Sequence, residues 1–287
     1  MSQSASTAAI PARPPRSAFQ FVALFVFLAA LFASWRIAEV RPLDLLLGEG
    51  RDKLLSFIGE MFPPDLSLEF LRFTLRPALE TIQISLLGTA LAIVIGFPLA
   101  LLAASNLSFT GVLHEMEVEG RPVLRALRFI PYFVARAILN VFRAVPEFVW
   151  ALIFVRAVGL GAFPGVLAIG VAYGGIVGKV FAEIFEGVNP QPVEAPLSTG
   201  ASKLSSFLYG FLPEALPTLA SYTLYRWECA IRAAAVLGFV GAGGIGQQIQ
   251  ISMRMFNQRE TLTLILILLV MVTLVDRLCA FVRRQVL

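Results

Sequence analysis

The chain has 287 residues, a formal net charge of +4 and 57% hydrophobic residues, with a mean hydropathy of +0.79. A soluble fold of this length cannot bury so much apolar surface, so the composition excludes a water-soluble globular protein and predicts an all-α integral membrane protein embedded in a lipid bilayer. Its basic residues are not interleaved with aromatic ones as on a nucleic-acid surface, so no nucleic-acid partner is expected.

The amino-terminal region combines a polar tail, an apolar run and a loop. Residues 1–17 are rich in Ser, Ala and Pro, a composition that predicts a disordered tail. Residues 18–35 are just long enough to cross about 30 Å of hydrocarbon and lack a convincing cleavage site, so we expect a retained first transmembrane helix. Residues 36–76 mix charges with prolines and are expected to form an external loop with short surface helices.

Prolines and glycines shape the further membrane-spanning helices that the hydropathy pattern predicts. Pro146 lies inside the third span and should bend it, because its ring removes a backbone hydrogen bond. Gly88 and Gly96 in the second span, and several glycines in the fourth, permit close helix contacts. Residues 106–136 carry arginines at helical spacing, which predicts an amphipathic helix at the inner face. The second to sixth spans are predicted at residues 77–105, 137–160, 164–188, 219–240 and 262–281.

The loop between the fourth and fifth spans, residues 190–217, has the composition of a helical hairpin. Pro192 fits the first turn of one short helix, and Ser202 can cap a second. Gly200 lies between them and supplies a hinge without a side chain. Such a hairpin offers a small knob that the groove of a partner protein can hold.

Charged residues inside the predicted spans are costly and are therefore candidates for function. In the fifth span, Glu228 and Arg232 share a helix face and are expected to pair with each other. Arg226 lies on another face and is the candidate for an unpaired positive charge, which either attracts an anion in a water-filled path or binds a carboxylate on another span. In the fourth span, Lys179 and Glu183 are four residues apart and are expected to neutralise each other.

Two glycine-rich motifs resemble nucleotide-binding sequences only superficially. GAGGIG, from Gly241 to Gly246, fits G-x-G-x-x-G, but membrane-length runs flank it where a strand and a soluble helix are required. We predict a flexible glycine turn at the outer mouth of the fifth span instead. GGIVGKV around Lys179 lacks the first glycine and the final Ser or Thr of a phosphate-binding loop, so this chain is not expected to bind or hydrolyse ATP.

The sequence offers no constellation for catalysis or for metal binding. Its one histidine, His114, has no cysteine cluster or second histidine with which to hold a metal or activate a nucleophile. Cys229 and Cys279 both fall in apolar segments, which favours packing over a disulfide. We therefore expect neither a metal site nor an enzyme.

Several segments resemble the permease subunits of ATP-binding-cassette (ABC) importers. EAPLSTG followed by FLP resembles their coupling loop, although Pro196 stands where that family most often has Ala. Over residues 77–287, the combination is similar to phosphonate or phosphite importer permeases. The other segments that carry this likeness are RAVPEFVWALIFV, GGIVGKVFAEIFE, YTLYRWECAIRAAAVLGFVGAGGIG and VDRLCAFVRR.

This resemblance implies a type I ABC importer permease bundle with about six transmembrane helices. Residue by residue, we assign three candidate sites in the chain. The ATPase-coupling residues are Glu194, Ala195, Gly200, Ala201, Leu212 and Pro213. The translocation-pathway candidates are Arg226, Glu228, Arg232, Lys179 and Arg156. The outer-gate candidates are Gly241, Gly243, Gly244 and Gly246.

The resemblance also implies an assembly that works by alternating access. Its expected partners are a second copy of the chain, two ABC ATPase subunits that carry ATP and Mg, and an external substrate-binding protein. Lys and Arg are divided almost evenly between the predicted sides, so the resemblance alone places the chain in the bacterial inner membrane with both termini cytoplasmic.

Three alternatives to this function stay open. An ABC permease for another solute, such as an amino acid, shares the coupling loop. An ATP-independent secondary transporter or channel would need inverted internal repeats, and none is convincing here. A membrane-embedded enzyme comes last, for want of catalytic residues.

Overall fold

The computed structural model describes residues 18–39, 48–108 and 122–286. Its contacts divide the chain into two units, Met1–Gly59 and Glu60–Leu287. In the first unit, helix α1 (Ala18–Ile37) is apolar around its whole circumference, as expected of a helix that faces lipid. Helix α2 (Glu49–Glu60) follows in the predicted external loop. The predicted tail at residues 1–17 lies outside the described residues.

The second unit is a bundle of helices, and the described residues form no strand. Ser67 begins it by capping the first helix, accepting a hydrogen bond from Phe70 N–H. This helix starts at Leu68, earlier than the predicted span at Pro77. The elements in chain order are α3 (Leu68–Ala103), α4 (Ser105–Ser108), α5 (Pro122–Ala144), α6 (Glu147–Val158), α7 (Ala162–Glu186), α8 (Gln191–Ser198), α9 (Lys203–Ser206), a π-helical segment (Phe207–Phe211), α10 (Leu212–Gly238), α11 (Gly244–Arg254) and α12 (Gln258–Val286).

All six predicted spans fall on helices, but not all of these helices are long and apolar enough to cross a membrane. Leu68–Ala103, Ala162–Glu186 and Gln258–Gln285 are long and apolar enough, and the bent pair α5–α6 makes a fourth if it counts as one span. The apolar part of α1, Phe21–Ile37, is shorter than these helices. Helix α10 has the length but carries several charged residues along it.

Pro146 breaks the predicted third span more sharply than a bend. The two helices on either side of it meet at 89°. Pro146 is extended, with φ −57° and ψ 145°. The helix before it ends because a proline disfavours the helical conformation of the preceding residue, Val145, and supplies no N–H for a helical hydrogen bond. The predicted amphipathic helix at residues 106–136 is described only in part: α5 begins at Pro122, and residues 109–121 lie outside the described residues.

Helix α7 forms the centre of the bundle, with most of its length buried against its neighbours. Glycines bring its backbone into contact with α3, as their positions predict. A Cβ atom on Gly96 would lie 2.8 Å from the carbonyl oxygen of Gly174 and 2.9 Å from the nitrogen of Gly178. The contact therefore requires glycine and fixes α3 against α7.

Candidate functional site

Helix α10 connects the three candidate sites. It begins at the coupling segment, residues 190–217, carries Arg226 near its middle, and ends at the glycine turn, residues 241–246. The coupling segment and the glycine turn therefore lie at opposite ends of this helix.

The first half of the coupling segment is a short helix that ends at the predicted hinge. Pro192 stands in the first turn of α8, and the helix accommodates Pro196. Gly200 has φ +85°, and its N–H donates to the carbonyl oxygen of Leu197 at 3.0 Å, while Ala201 N–H donates to that of Pro196 at 3.0 Å. These two bonds form a Schellman motif, which requires the left-handed backbone that glycine adopts without strain.

The second half of the coupling segment differs from the predicted short helix. Ser202 caps α9 as predicted, accepting a hydrogen bond from Ser205 N–H at 3.2 Å. Helix α9 then continues through the π-helical segment into α10 without a break. Leu212 N–H donates to the carbonyl oxygen of Phe207, five residues back, just before Pro213, which has no N–H to donate. The π-helical turn thus accommodates Pro213, and the helix continues without interruption.

One face of the coupling segment packs inward and another is exposed. Leu197, Phe207 and Leu212 pack against the buried cluster that includes Phe185 and Phe211. Glu194 and Gly200 are exposed, and Ala201 is half-buried. Four large apolar side chains described on this segment are exposed, at 68% for Leu204, 44% for Leu208, 81% for Tyr209 and 50% for Leu216. This exposed apolar face is a surface that a partner protein can cover.

Arg226 is half-buried and held by aromatic side chains. Its Nε–H donates to the hydroxyl oxygen of Tyr222 at 3.0 Å, and its guanidinium carbon lies 5.0 Å from the ring centroid of Tyr173. Across the residues that the structure describes, no carboxylate lies within salt-bridge distance of Arg226, and its other guanidinium N–H groups have no hydrogen-bond partner. The positive charge is therefore stabilised without being neutralised.

The other charges of α10 do not pair as predicted. Glu228 accepts a hydrogen bond from Arg283 Nη2 at 2.5 Å, and Arg232 lies 3.4 Å from Asp276. The expected pair between Glu228 and Arg232 was wrong, because α12 packs beside α10 and presents closer partners.

The remaining pathway candidates occupy different environments. Lys179 and Glu183 form the predicted ion pair within α7. Arg156 is exposed near the end of α6. The structure thus distinguishes Arg226 from its charged neighbours, because Glu228, Arg232 and Lys179 all have ion-pair partners.

The glycine turn, which the sequence predicts to be flexible, is buried and hydrogen-bonded to α3. Gly241, Gly243 and Gly244 have φ of +90°, +80° and +73°, and a Cβ atom on Gly246 would collide with the carbonyl oxygen of Ala235. Helix α10 precedes the turn, whereas a dinucleotide site would need a strand there.

Two residues of α3 that the sequence analysis missed fasten the glycine turn. The carboxylate of Glu80 accepts a hydrogen bond from Gly244 N–H at 3.1 Å, and the hydroxyl of Thr81 accepts one from Ile245 N–H at 2.9 Å. Both occupy free N–H groups at the start of α11, where a negative charge is favoured. Glu80 could have been identified from the sequence, because it is a carboxylate inside an apolar run.

Tyr173 and Tyr222 are the other residues that sequence reasoning missed. Tyr222 is four residues before Arg226, a spacing that places both on one helix face. Tyr173 lies on α7 and carried no signal in the sequence, because only packing of α7 against α10 brings it to Arg226.

Cysteines and metal-binding groups add nothing to these sites. Cys229 and Cys279 are free thiols. Within residues 18–39, 48–108 and 122–286, no three His, Cys, Asp or Glu side chains come together as metal ligands. His114 lies outside these ranges.

Known proteins share both the sequence and the fold. The family model described as binding-protein-dependent transport system inner membrane component matches residues 123–287. The chain is 38% identical over 260 residues to the phosphite transport system permease protein PtxC of Stutzerimonas stutzeri, covering 91% of this chain and 86% of that protein. It is 34% identical over 259 residues to the phosphate-import permease protein PhnE of Mycolicibacterium smegmatis, covering 90% of this chain and 44% of that protein.

A solved structure extends the likeness to the fold. A chain from an inward-facing conformation of the MetNI methionine ABC transporter superposes with a TM-score of 0.62 at 22% identity, covering 77% of this chain and all of the other. The described helices therefore have the fold of a type I ABC importer permease. Because the family model spans more than half of the chain and PtxC aligns along most of both proteins, this protein belongs to the family of binding-protein-dependent transport system inner membrane components.

Proposed function

We propose that this chain is the membrane-spanning permease subunit of an ATP-driven importer that moves phosphite, a phosphonate or a related phosphorus oxyanion across the bacterial inner membrane. The observation that carries the substrate class is Arg226, a half-buried arginine without a carboxylate partner in the described residues. The names of PtxC and PhnE, which refer to phosphite and phosphate, support the same class.

The chemistry of Arg226 suits a tetrahedral oxyanion. Tyr222 occupies Nε, so the Nη groups keep the geometry for bidentate contact with two oxygens of one anion. In a medium of low dielectric constant, an uncancelled positive charge attracts an anion more strongly than in water. We assign Arg226 the direct contact, while Glu228, Arg232, Lys179 and Arg156 set the electrostatic surroundings of the pathway.

Coupling to ATP is proposed at the coupling segment. Glu194, Ala195, Gly200 and Ala201 form the first part of the knob, and Leu212 and Pro213 lead from it into α10. The exposed Leu204, Leu208 and Tyr209 offer an apolar surface for a separate ATPase subunit, which would hold ATP and Mg. Because α9 and α10 form one continuous helix, a movement of the knob would act directly on the helix that carries Arg226.

The proposed assembly has a second permease copy, two ATPase subunits and an external binding protein. We place the coupling segment and both termini on the cytoplasmic side and the glycine turn on the outer side. Gly241, Gly243, Gly244 and Gly246 would serve there as part of an outer gate that Glu80 fastens.

The alternatives find less support in the observed contacts. The MetNI likeness is at 22% identity and concerns the fold alone, so it does not favour an amino acid as the solute. A secondary transporter leaves the exposed apolar face of the coupling segment without a role.

The test is the ATPase activity of the permease purified with its ATPase in lipid nanodiscs. Binding protein is added in four states: empty, or loaded with phosphite, methylphosphonate or methionine. We expect stimulation by a phosphorus oxyanion form and none by the methionine form. Stimulation by the methionine form alone would favour amino acid import. If no loaded form changes the ATPase activity, the proposal of an ATP-driven importer is wrong.

A further inference from the structure

A second cluster of cations lines a cavity near the coupling segment, and Arg226, Tyr222 and Tyr173 are not among its lining residues. The cavity has a volume of about 230 Å³ and lies between α5 and α7, beside the end of α3. Its charged lining residues are Arg136, Arg143, Lys179, Glu183 and Glu186. The volume exceeds the roughly 30 Å³ that one water takes in the liquid, so a small polyatomic ion fits.

Two of these residues form a fixed wall. Arg136 Nη2 donates to Glu186 at 2.7 Å, and its Nε donates to the carbonyl oxygen of Ala103 at 3.0 Å. The same Glu186 oxygen accepts a hydrogen bond from Ser105 N–H at 2.8 Å. This pair therefore ties the ends of α3 and α7 to the middle of α5, and both charges are already compensated.

Arg143 differs, because its only hydrogen-bond partner in the described residues is neutral. Its Nε and Nη2 both donate to Oδ1 of Asn140, at 3.0 and 2.8 Å. Asn140 thus orients the guanidinium without cancelling its charge. Nη1 has no acceptor among the residues described.

Lys179, on α7, also lines the cavity and retains spare donors. It forms an ion pair with Glu183, but an ammonium group has three N–H donors. The described lining therefore has three cations against two carboxylates, a net positive charge. An oxyanion would satisfy the remaining donors of Arg143 and Lys179 and balance that charge.

The neighbouring packing keeps the two cation-bearing helices in register. A Cβ atom on Gly175 would lie 2.7 Å from the backbone nitrogen of Arg143, so α5 and α7 touch beside the cavity. Leu139 and Ala182 line the cavity and belong to the same buried cluster as Phe211 of the π-helical segment. The site is thus built on rigid elements that also contact the coupling segment.

We propose that this cavity binds one tetrahedral phosphorus oxyanion through Arg143 and Lys179. The phosphorus group belongs either to a free anion, such as phosphite or methylphosphonate, or to the headgroup of an anionic phospholipid. The lining of this site does not include Arg226, and the choice of phosphorus as the central atom of the anion rests on the proposed function.

The experiment uses the permease with its ATPase, purified in nanodiscs. For a free anion, methylphosphonate is titrated by calorimetry into complexes in phosphatidylcholine nanodiscs. For a lipid, native mass spectrometry counts the phosphatidylglycerol molecules that remain bound to complexes released from mixed nanodiscs. Both measurements compare wild type with Arg143→Gln, and Arg284→Gln, an exposed arginine outside the cavity, is the matched control.

A free-anion site predicts that Arg143→Gln raises the dissociation constant of methylphosphonate about tenfold, the effect of losing one charge-assisted contact. A lipid site predicts that the same variant loses one bound phosphatidylglycerol per permease chain. Arg284→Gln should change neither quantity. The thermal unfolding temperature of Arg143→Gln is also measured, and a value equal to that of wild type shows that the variant is folded.

The proposal is overturned if Arg143→Gln leaves both quantities unchanged. It is also overturned if all methylphosphonate binding is lost in Arg226→Gln and retained in Arg143→Gln, with lipid counts unchanged. Stimulation of the ATPase by loaded binding protein, measured on the same samples, reports on the proposed transport function independently.

Discussion

At the scale of single residues, the environment of Arg226 shows how a charge is kept available inside a membrane protein. Tyr222 accepts one hydrogen bond, and the ring of Tyr173 faces the guanidinium. Both contacts lower the cost of burying the cation, but neither supplies a negative charge. Glu228 and Arg232, two and six residues along the same helix, are instead paired with α12.

Replacing Arg226 should therefore affect transport more than assembly. We expect Arg226→Gln to lower uptake of radiolabelled phosphite at least about tenfold, because a charge-assisted contact to an anion is worth roughly 1.5–3 kcal/mol. Tyr222→Phe keeps the ring and removes the hydroxyl, and it should raise KM while changing kcat little. Tyr225→Phe, an exposed tyrosine on the same helix, is the control. Unchanged uptake in Arg226→Gln would return this residue to a structural role.

At the scale of elements, the hinge of the coupling segment needs a backbone conformation that favours glycine, and it also lies on the surface. Gly200 has φ +85°, and nothing in the described structure lies within 4 Å of where its Cβ atom would be. A substitution there meets no clash inside the chain. Any effect beyond backbone strain, about 1–2 kcal/mol for a residue with a Cβ atom, must arise from a partner.

A pair of substitutions at Gly200 separates strain from partner contact. Asn and Asp have similar size and tolerate the left-handed region better than most residues. We expect Gly200→Asp to lower uptake while ATP hydrolysis continues, because its charge enters the proposed contact with the ATPase, whereas Gly200→Asn should stay closer to wild type. The ratio of substrate taken up to ATP hydrolysed in proteoliposomes measures this. Equal ratios in Asp, Asn and wild type would argue against the coupling role.

At the scale of the whole molecule, close packing limits where an anion can pass. The backbones of α3 and α7 are in contact at Gly96 and Gly178, so no anion can pass between these two helices at that level. We therefore expect a pathway beside Arg226 to run along a face of the bundle, where another subunit would provide the opposite wall.

We expect two permease chains in each complex. Two copies with different affinity tags, expressed together with the ATPase, should co-purify through either tag. The mass of the detergent-free complex should equal two permeases and two ATPases. A complex with one copy of this chain and one related permease would change the proposed composition, and a single permease chain would contradict it.

The sequence by itself determined the features that depend on neighbours along the chain. Hydropathy located the helices on which the six predicted spans fall, Pro146 marked the break, Ser202 marked a cap, and the spacing of Lys179 and Glu183 predicted an ion pair. These follow from local geometry, because residues three or four apart on a helix meet whatever surrounds them.

Only the tertiary structure decided the contacts between helices. Glu228 and Arg232 are close enough to pair, yet the packing of α12 redirects both to other partners. The sequence predicts a flexible glycine turn, and only the structure shows the hydrogen bonds that Glu80 and Thr81 of α3 accept from it. Tyr173 reaches Arg226 from a different helix. Such contacts depend on the crossing angle and register of helices distant in sequence, which spacing along one chain does not specify.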